Sequence, residues 1–374
     1  MADGTSPLRL DLLAIETPAL IVDLDALDRN IARMAREAAD LGVRLRPHAK
    51  THKCAGIARM QVQAGAVGIT CQKLGEAEAM VAGGIEDVLV TNEIVAPAKL
   101  ERLAALAHRA KVGFCVDALE PAKAASAVAV AAGVELGVLV EIDVGAGRCG
   151  TTPGADAAAL ARAVADLPGL RFDGLQAYHG GAQQIRDPEG RAGAIRQAAA
   201  LVEETLAALS AEGLSAYTIG GAGTGSYPFE SGLGPWNEIQ PGSYIFMDAS
   251  YAQNTPEAGY PAYEHSLFLL TTVMSRRDGG HAVLDAGHKA TAIDSGMPRV
   301  VGIPGAEVTG LSDEHTVVAL AEGELALGTP VLLMPGHCDP TVNLHDRLIG
   351  VRGLGTPQAE ITTILSIDAR GALL

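Results

Sequence analysis

The chain has 374 residues, 48% of them apolar, and a formal net charge of −16 with a pI near 5.0, enough length for one large domain or two, each with a real core. The acidic balance, with no visible basic patch, argues against a duplex-binding surface. Five cysteines (Cys54, Cys71, Cys115, Cys149, Cys338) are odd in number and include no CxxC pair, so neither a disulfide framework nor a zinc ribbon is suggested and a reducing cytoplasm fits.

The first residues, MADGTSPLRLDLL, are too short and polar for a signal peptide, and no apolar run reaches the roughly 18 residues that a membrane span needs. The first clear element is a helix over Asp25–Ala39, where Leu27, Ile31, Met34, Ala35 and Ala38 keep an i, i+3/i+4 spacing. Eight candidate strands then begin near Val43, Gly68, Asp87, Val112, Leu136, Phe172, Ala216 and Glu238, most separated by helical stretches such as Pro97–Arg109 and Arg191–Glu212. That alternation predicts a closed (β/α)8 TIM-type barrel over residues 22–255. An open doubly wound sheet is the alternative, weakened because no GxGxxG follows a first strand. Beyond about residue 260 the runs SLFLLTTVMS, HAVLDAG, TPVLLMPGH, RLIGVRG and EITTILSI are strand-like with Gly, Pro and Asp punctuation. They predict a β-rich domain over 256–374, with residues 1–21 contributing a strand-like run of their own.

Barrel active sites collect where the strands end. Those ends carry Lys50 and Lys53 in RPHAKTHK, then Cys71–Gln72–Lys73, Thr91–Asn92, Cys115–Val116–Asp117, Asp143 to Arg148, Gln176–Ala177–Tyr178–His179, Gly220 to Ser226, and Gln240 to Tyr244. Polar residues therefore converge on one rim. The run GGAGTGS after a strand suits an anion, because glycines let backbone N–H groups approach phosphate oxygens and Thr224 or Ser226 can add a hydroxyl; a flexible turn is the competing reading. Alternation along the first strand places Arg44, Arg46, His48 and Lys50 on one face, and a lysine at a strand end can form a Schiff base with an aldehyde cofactor. Lys53 is expected in the following helix. His337 and Asp339, two apart in HCDP, would point the same way on a strand end, with Cys338 facing away, and would suit Mn²⁺ or Mg²⁺ better than zinc; a plain hydrogen-bonded pair is the alternative.

At RPHAKTHK, GAGRCG, LQAYHG, GGAGTGS, GSYIFMD, LDAGHKA, SDEH and PGHCDPTVNLHD the chain resembles the D-threonine aldolase and 3-hydroxy-D-aspartate aldolase family, alanine-racemase-like enzymes to which D-serine dehydratase is a more distant relative. The likeness runs in order through nearly the whole chain. It implies a barrel carrying pyridoxal 5′-phosphate (PLP), a β-rich domain after it, and a homodimer with the active site near the subunit interface. Carried over by position, it makes Lys50 the Schiff-base lysine, with Gln72, Arg148 and Tyr178 around the cofactor. Gly221, Gly223, Thr224, Gly242, Ser243 and Tyr244 would hold the phosphate or its surroundings, and His337 and Asp339 a divalent metal. The dehydratases pair the His with a Cys two residues on, so Asp339 favours an aldolase.

Three places depart from the family pattern. Gln183–Gln184 stand where family aldolases place a His, His288 stands where an apolar residue is expected, and Ala222 replaces a glycine, a mild change if its φ is negative. The implied reaction is retro-aldol cleavage of a D-3-hydroxy-amino acid such as D-threonine or D-phenylserine to glycine and an aldehyde, reversibly. Cleavage of 3-hydroxy-D-aspartate to glycine and glyoxylate, β-elimination of D-serine type, racemisation, and a PLP carrier without turnover are the competing readings. No nucleic-acid or membrane partner is expected.

Overall fold

The computed structural model describes residues 15–277 and 280–374; residues 1–14, the first part of the expected N-terminal run, lie outside that range. The chain enters through strand β1, Ala19–Asp23. Asp23 then caps a helix over Leu24–Asp40, its carboxylate accepting the Asp25 and Ala26 N–H groups at 3.0 and 3.1 Å. Leu27, Ile31, Met34 and Ala38 form the buried stripe that the spacing predicts.

Eight parallel strands follow: β2 (Arg44–Leu45), β3 (Ile69–Cys71), β4 (Asp87–Glu93), β5 (Lys111–Val116), β6 (Leu136–Glu141), β7 (Leu170–Ala177), β8 (Thr218–Gly221) and β9 (Glu238–Ile239). Their order is β2-β9-β8-β7-β6-β5-β4-β3. The Val67, Thr70 and Ala49 N–H groups donate to Leu45, Pro47 and Thr70 carbonyls at 2.9, 2.8 and 2.8 Å, and so join the first strand to the second and close the ring. Side chains alternate as the pleat requires. Val88, Val90, Phe114, Val138 and Val140 pack outward against the helices. Leu89, Cys115 and Leu139 form a small apolar cluster of their own within the ring. It separates two polar ends, one built on buried Arg46 with Glu238 and Asp87, the other holding the site described below. All eight strands of the (β/α)8 expectation are present, and the open sheet is excluded by the closure.

The β-rich part contains β10 (Leu267–Arg277), β11 (His281–Leu284), β12 (Arg299–Val301), β13 (Ala306–Leu311), β14 (Thr316–Leu320), β15 (Pro330–Met334), β16 (Arg347–Arg352) and β17 (Glu360–Ser366). The sheet runs β13-β14-β11-β10-β1-β16-β17, with β15 on β10 and β12. β1 lies antiparallel to β10 and parallel to β16, so the residues just before the barrel are sheet partners of the β-rich part.

The two parts are fastened where the chemistry lies. The Ala249 and Ser250 N–H groups, beyond the barrel's last strand, donate to the Pro335 and Gly336 carbonyls at 3.0 and 3.2 Å. The Asp248 carboxylate accepts the Cys338 N–H at 3.0 Å. Gly336 is required at this crossing, since a Cβ there would lie 1.8 Å from the Gly296 carbonyl oxygen.

Candidate active site

A cavity of about 110 Å³ opens at the C-terminal end of the barrel strands. Its lining includes Lys50, Gln72, Arg148, Tyr178, Gly223, Thr224, Gly242 and Ser243, eight of the residues expected from sequence. A larger basin of about 670 Å³ lies at the opposite end of the barrel. There Arg46 is bound to Glu238 and Asp87, Lys111 to Asp87, and Arg171 to Asp173 and Glu135. Those charges satisfy one another, and that end of a barrel serves stability. The smaller cavity is the one with convergent reactive groups.

Lys50 sits in the turn after β2 and donates from Nζ to the Asp339 carboxylate. Burial disfavours the ammonium, but the Asp339 charge outweighs it and holds the lysine above its usual range. Asp339 is the reciprocal case: burial opposes ionisation, while Lys50 and then His337 keep the carboxyl well below its usual range. His48, two residues before Lys50 and facing the same cavity, is pushed down to about 3 by burial first and by Lys50 second. Its Nδ1 accepts the Lys50 N–H at 3.3 Å, which leaves Nε2 as the protonated nitrogen 3.2 Å from Gln72 Oε1. The imidazole is thus neutral and of one tautomer.

The glycine loop after β8 is held from outside the cavity. Gln183 donates from Nε2 to Ser226 Oγ at 2.5 Å and accepts the Gly225 N–H at 2.8 Å. Ser226 Oγ in turn donates to Glu230 at 2.9 Å, and burial pushes that fully enclosed carboxyl up to about 8. Gln183, one of the two glutamines that stand where family aldolases place a His, therefore fixes the loop. Gln184 accepts the Ser250 hydroxyl at 3.2 Å. Gly221 does not line the cavity; it lets β8 approach β7, where a Cβ would lie 2.3 Å from the Ala177 carbonyl oxygen. Ala222 corrects the sequence reading, because its φ is 61°, in the left-handed region that costs an L-residue roughly 1–2 kcal/mol. Tyr244 also differs from expectation. Its ring is fully buried away from the cavity with its hydroxyl 3.0 Å from Gln61 Nε2, and only its backbone N–H reaches the site, donating to Thr224 Oγ1 at 3.0 Å.

The HCDP segment is not strand. His337 is the N-cap of a short helix over Cys338–Val342, and Asp339 lies in its first turn. His337 Nδ1 lies 2.7 Å from Asp294 Oδ2 and 3.3 Å from Ser295 Oγ. Cys338 is buried, and its Sγ lies 3.4 Å from Asp339 Oδ1 rather than on the far side. Lys53 is likewise not helical. It has a φ of 51° and is bound to buried Glu76; the helix starts at Ala55. His288 is exposed and outside the cavity lining, as are Asp313 and His315 of SDEH.

Sequence reasoning missed Glu141, Tyr251 and Asp294. Glu141 shares the inward parity of Leu139 on β6 and lies 4.0 Å from Arg148, so its position was readable from strand alternation. Tyr251 opens a three-residue 3-10 helix and Asp294 lies in a turn, both too short for a periodicity to mark a direction.

The comparisons agree with this architecture. The family model described as the alanine racemase N-terminal domain matches residues 22–250, and one described as a putative serine dehydratase domain matches 266–351. The chain is 45% identical to a 3-hydroxy-D-aspartate aldolase of Paracoccus denitrificans (strain Pd 1222), covering 97% of this chain and 94% of the relative. It is also 45% identical to a D-threonine aldolase of an Arthrobacter species, covering 96% and 94%. A crystal structure of D-threonine aldolase from Filomicrobium marinum superposes with a TM-score of 0.95 at 48% identity, over 99% of this chain and 100% of that one. The chain therefore belongs to the family of D-threonine aldolases and 3-hydroxy-D-aspartate aldolases, built on the alanine-racemase-like fold.

Proposed function

We propose that this protein is a PLP- and divalent-metal-dependent aldolase that cleaves D-3-hydroxy-amino acids to glycine and an aldehyde. The observation that carries the reading is the contact between Lys50, on the barrel rim, and Asp339, from the β-rich part. It brings an amine able to join an aldehyde within reach of a hard carboxylate ligand.

The residues present fit both groups. Around Lys50 lie two glycines whose Cβ atoms would collide, Gly223 with Gln183 and Gly242 with Thr51. Their bare backbones, with the Thr224 and Ser243 hydroxyls, suit a phosphate. Arg148 and Tyr178 offer a cation and a phenol for the ring, and Gln72 anchors His48. His337 and Asp339 present one imidazole nitrogen and carboxylate oxygen, a donor set for Mn²⁺ or Mg²⁺. The Asp294 contact on Nδ1 leaves Nε2 as the ligating atom.

When bound, PLP supplies an electron sink for the charge left at Cα, and the divalent ion a Lewis acid for the 3-hydroxyl. The chain's own residues prepare for this. Asp339 holds the Lys50 proton and orients Nζ over the cavity. His48, locked neutral by burial, adds no second positive charge beside that amine. Gln183 and Ser226 keep the glycine loop in one shape, so the phosphate end meets a preorganised backbone.

The relatives' names supply two substrates, D-threonine and 3-hydroxy-D-aspartate, at equal identity, and we place both within the proposed range. The family resemblance also leads us to propose a homodimer acting in the cytoplasm. Among the described residues no helix is long and apolar enough to cross a membrane. The test is a product assay with purified protein, PLP, D-threonine and either Mn²⁺ or EDTA. Acetaldehyde with glycine, lost in EDTA, is the expected result. Oxobutyrate instead would establish elimination, and activity untouched by EDTA would remove the metal role. If D-threonine gives neither product, 3-hydroxy-D-aspartate is tried next, and failure there would leave the carrier reading.

A further inference from the structure

We propose that the carboxyls of half-buried Glu93 and buried Glu141 share one proton, and that the single negative charge the pair retains positions Arg148 beside the cofactor. The second half of this rests on the PLP reading above; the first half rests on the structure alone.

Glu93 ends β4 and Glu141 ends β6, two strands away across the rim. One oxygen of each, with the Cys149 thiol, lie within 4.8 Å of one another. Glu141 is only 5% exposed, and Oε1 of Glu93 is buried without a donor. Asp117, on the loop after β5, faces the same cluster and accepts the Gly150 N–H at 3.2 Å. Two ionised carboxylates cannot face each other in such a place, so one takes a proton. Burial, then the Glu93 charge, push Glu141 up to about 8. A metal ion is the other way to reconcile these acids. It is disfavoured by the Arg148 guanidinium 4.0 Å from Glu141, which already supplies the local positive charge.

Arg148 needs that anchor. Its loop is pinned at the backbone, where Asp143 accepts the Gly145 and Gly147 N–H groups at 2.9 and 3.0 Å and the Thr151 N–H donates to the Glu141 carbonyl at 2.9 Å. The Arg148 side chain is 54% exposed, and Glu141 is its one ion-pair partner among the described residues. From there it stands 5.9 Å above the Tyr178 ring, on the cavity wall. Glu141 is thus a positioning residue for Arg148, and Glu93 sets the charge it carries.

The experiment compares wild type, Glu93→Gln and the Glu93→Gln/Glu141→Gln double variant with two readouts. The first is the rate at which iodoacetamide alkylates Cys149 in the purified protein. The other four cysteines are buried, and the Cys149 thiol is pushed up to about 11 by burial and by both glutamates, so its rate reports their charge. Glu93→Gln still leaves one negative charge and should react within twofold of wild type. The double variant leaves none and should react at least fivefold faster. The second readout is PLP affinity by absorbance titration. Glu93→Gln should bind within twofold of wild type, and the double variant at least fivefold more weakly. Arg148→Lys alone should show the same loss without disturbing the buried pair, and adding it to the double variant should cost nothing further. Alkylation in Glu93→Gln as fast as in the double variant would mean that two charges were present, which overturns the shared proton. A double variant with wild-type PLP affinity, beside a weakened Arg148→Lys, would overturn the positioning role. Absence of PLP binding by wild type would refute the proposed function and with it the role of Arg148, while the alkylation series would still decide the shared proton.

Discussion

Replacing Asp294 by Ala should weaken divalent-metal binding while leaving PLP binding intact. The Asp294 carboxylate lies 2.7 Å from His337 Nδ1 and fixes both the ring's direction and its tautomer. Loss of such a partner costs roughly 10–100-fold in metal affinity. The Asp294 side chain is 53% exposed, and Ser295 Oγ stands 3.3 Å from the same nitrogen as a substitute. Both facts place the expected loss near tenfold, about 1.4 kcal/mol. Mn²⁺ titration followed by calorimetry, on wild type, Asp294→Ala and Asp294→Asn, measures it directly. The amide oxygen of Asn can still accept from Nδ1, so that variant should recover most of the affinity. Wild-type affinity in Asp294→Ala would refute the orienting role. A loss beyond about a thousandfold would exceed what an orienting partner contributes and would make Asp294 a direct ligand.

Lys50→Ala should abolish the absorbance band near ~420 nm that PLP develops on the wild-type protein; a surviving band would move the anchor to another lysine. Gly336→Ala forces a Cβ to within 1.8 Å of the Gly296 carbonyl oxygen. It should destabilise the fold by about 1–3 kcal/mol and weaken Mn²⁺ binding at His337 next door; an unchanged urea midpoint would contradict the packing. Glu230 is pushed up to about 8 by burial, whereas an unfolded glutamate titrates near about 4.3. Between those values the fold binds the extra proton, so this residue's contribution to stability is complete below the lower value and is lost as pH rises through the upper one. Urea midpoints at pH 6 and 8 should therefore fall less in Glu230→Gln than in wild type, and equal falls would mean that the carboxyl is ionised in the fold.

Much of the barrel was legible because its signals are local. The strand starts expected at Asp87, Leu136 and Glu238 are the observed ones, and the others differ by one or two residues. A strand buried on both faces reads as a short apolar run, and its polar end marks the rim. That is why Lys50, Gln72, Arg148 and Tyr178 could be placed on one wall. Where the reading went astray, long-range contacts had overridden local expectation. Lys53 leaves the helix for a φ of 51° because buried Glu76 holds its ammonium. Ala222 adopts a glycine-like φ where β8 runs into the loop that Gln183 ties down. Tyr244 turns its ring into the core, where Gln61 Nε2 donates to its hydroxyl.

The sequence alone determined the barrel's strand count, the rim to which polar side chains point, and the donor types available for a phosphate and a hard metal ion, since periodicity and residue chemistry are properties of neighbouring positions; of the β-rich part it showed five strand-like runs, where the structure has eight strands. Only the tertiary structure decided that Asp339 meets Lys50, that Asp294 orients His337, and that Glu93 faces Glu141. Each of these contacts joins residues about 40 to 290 positions apart, and no local rule encodes such a distance. The first arises because β1 pairs with both β10 and β16 and because Ala249, Ser250 and Asp248 clasp the 335–338 turn, which brings the end of one sheet over the mouth of the other. The second lies within the β-rich part, where β12 pairs with β15, and the third within the barrel, where β4 and β6 flank β5.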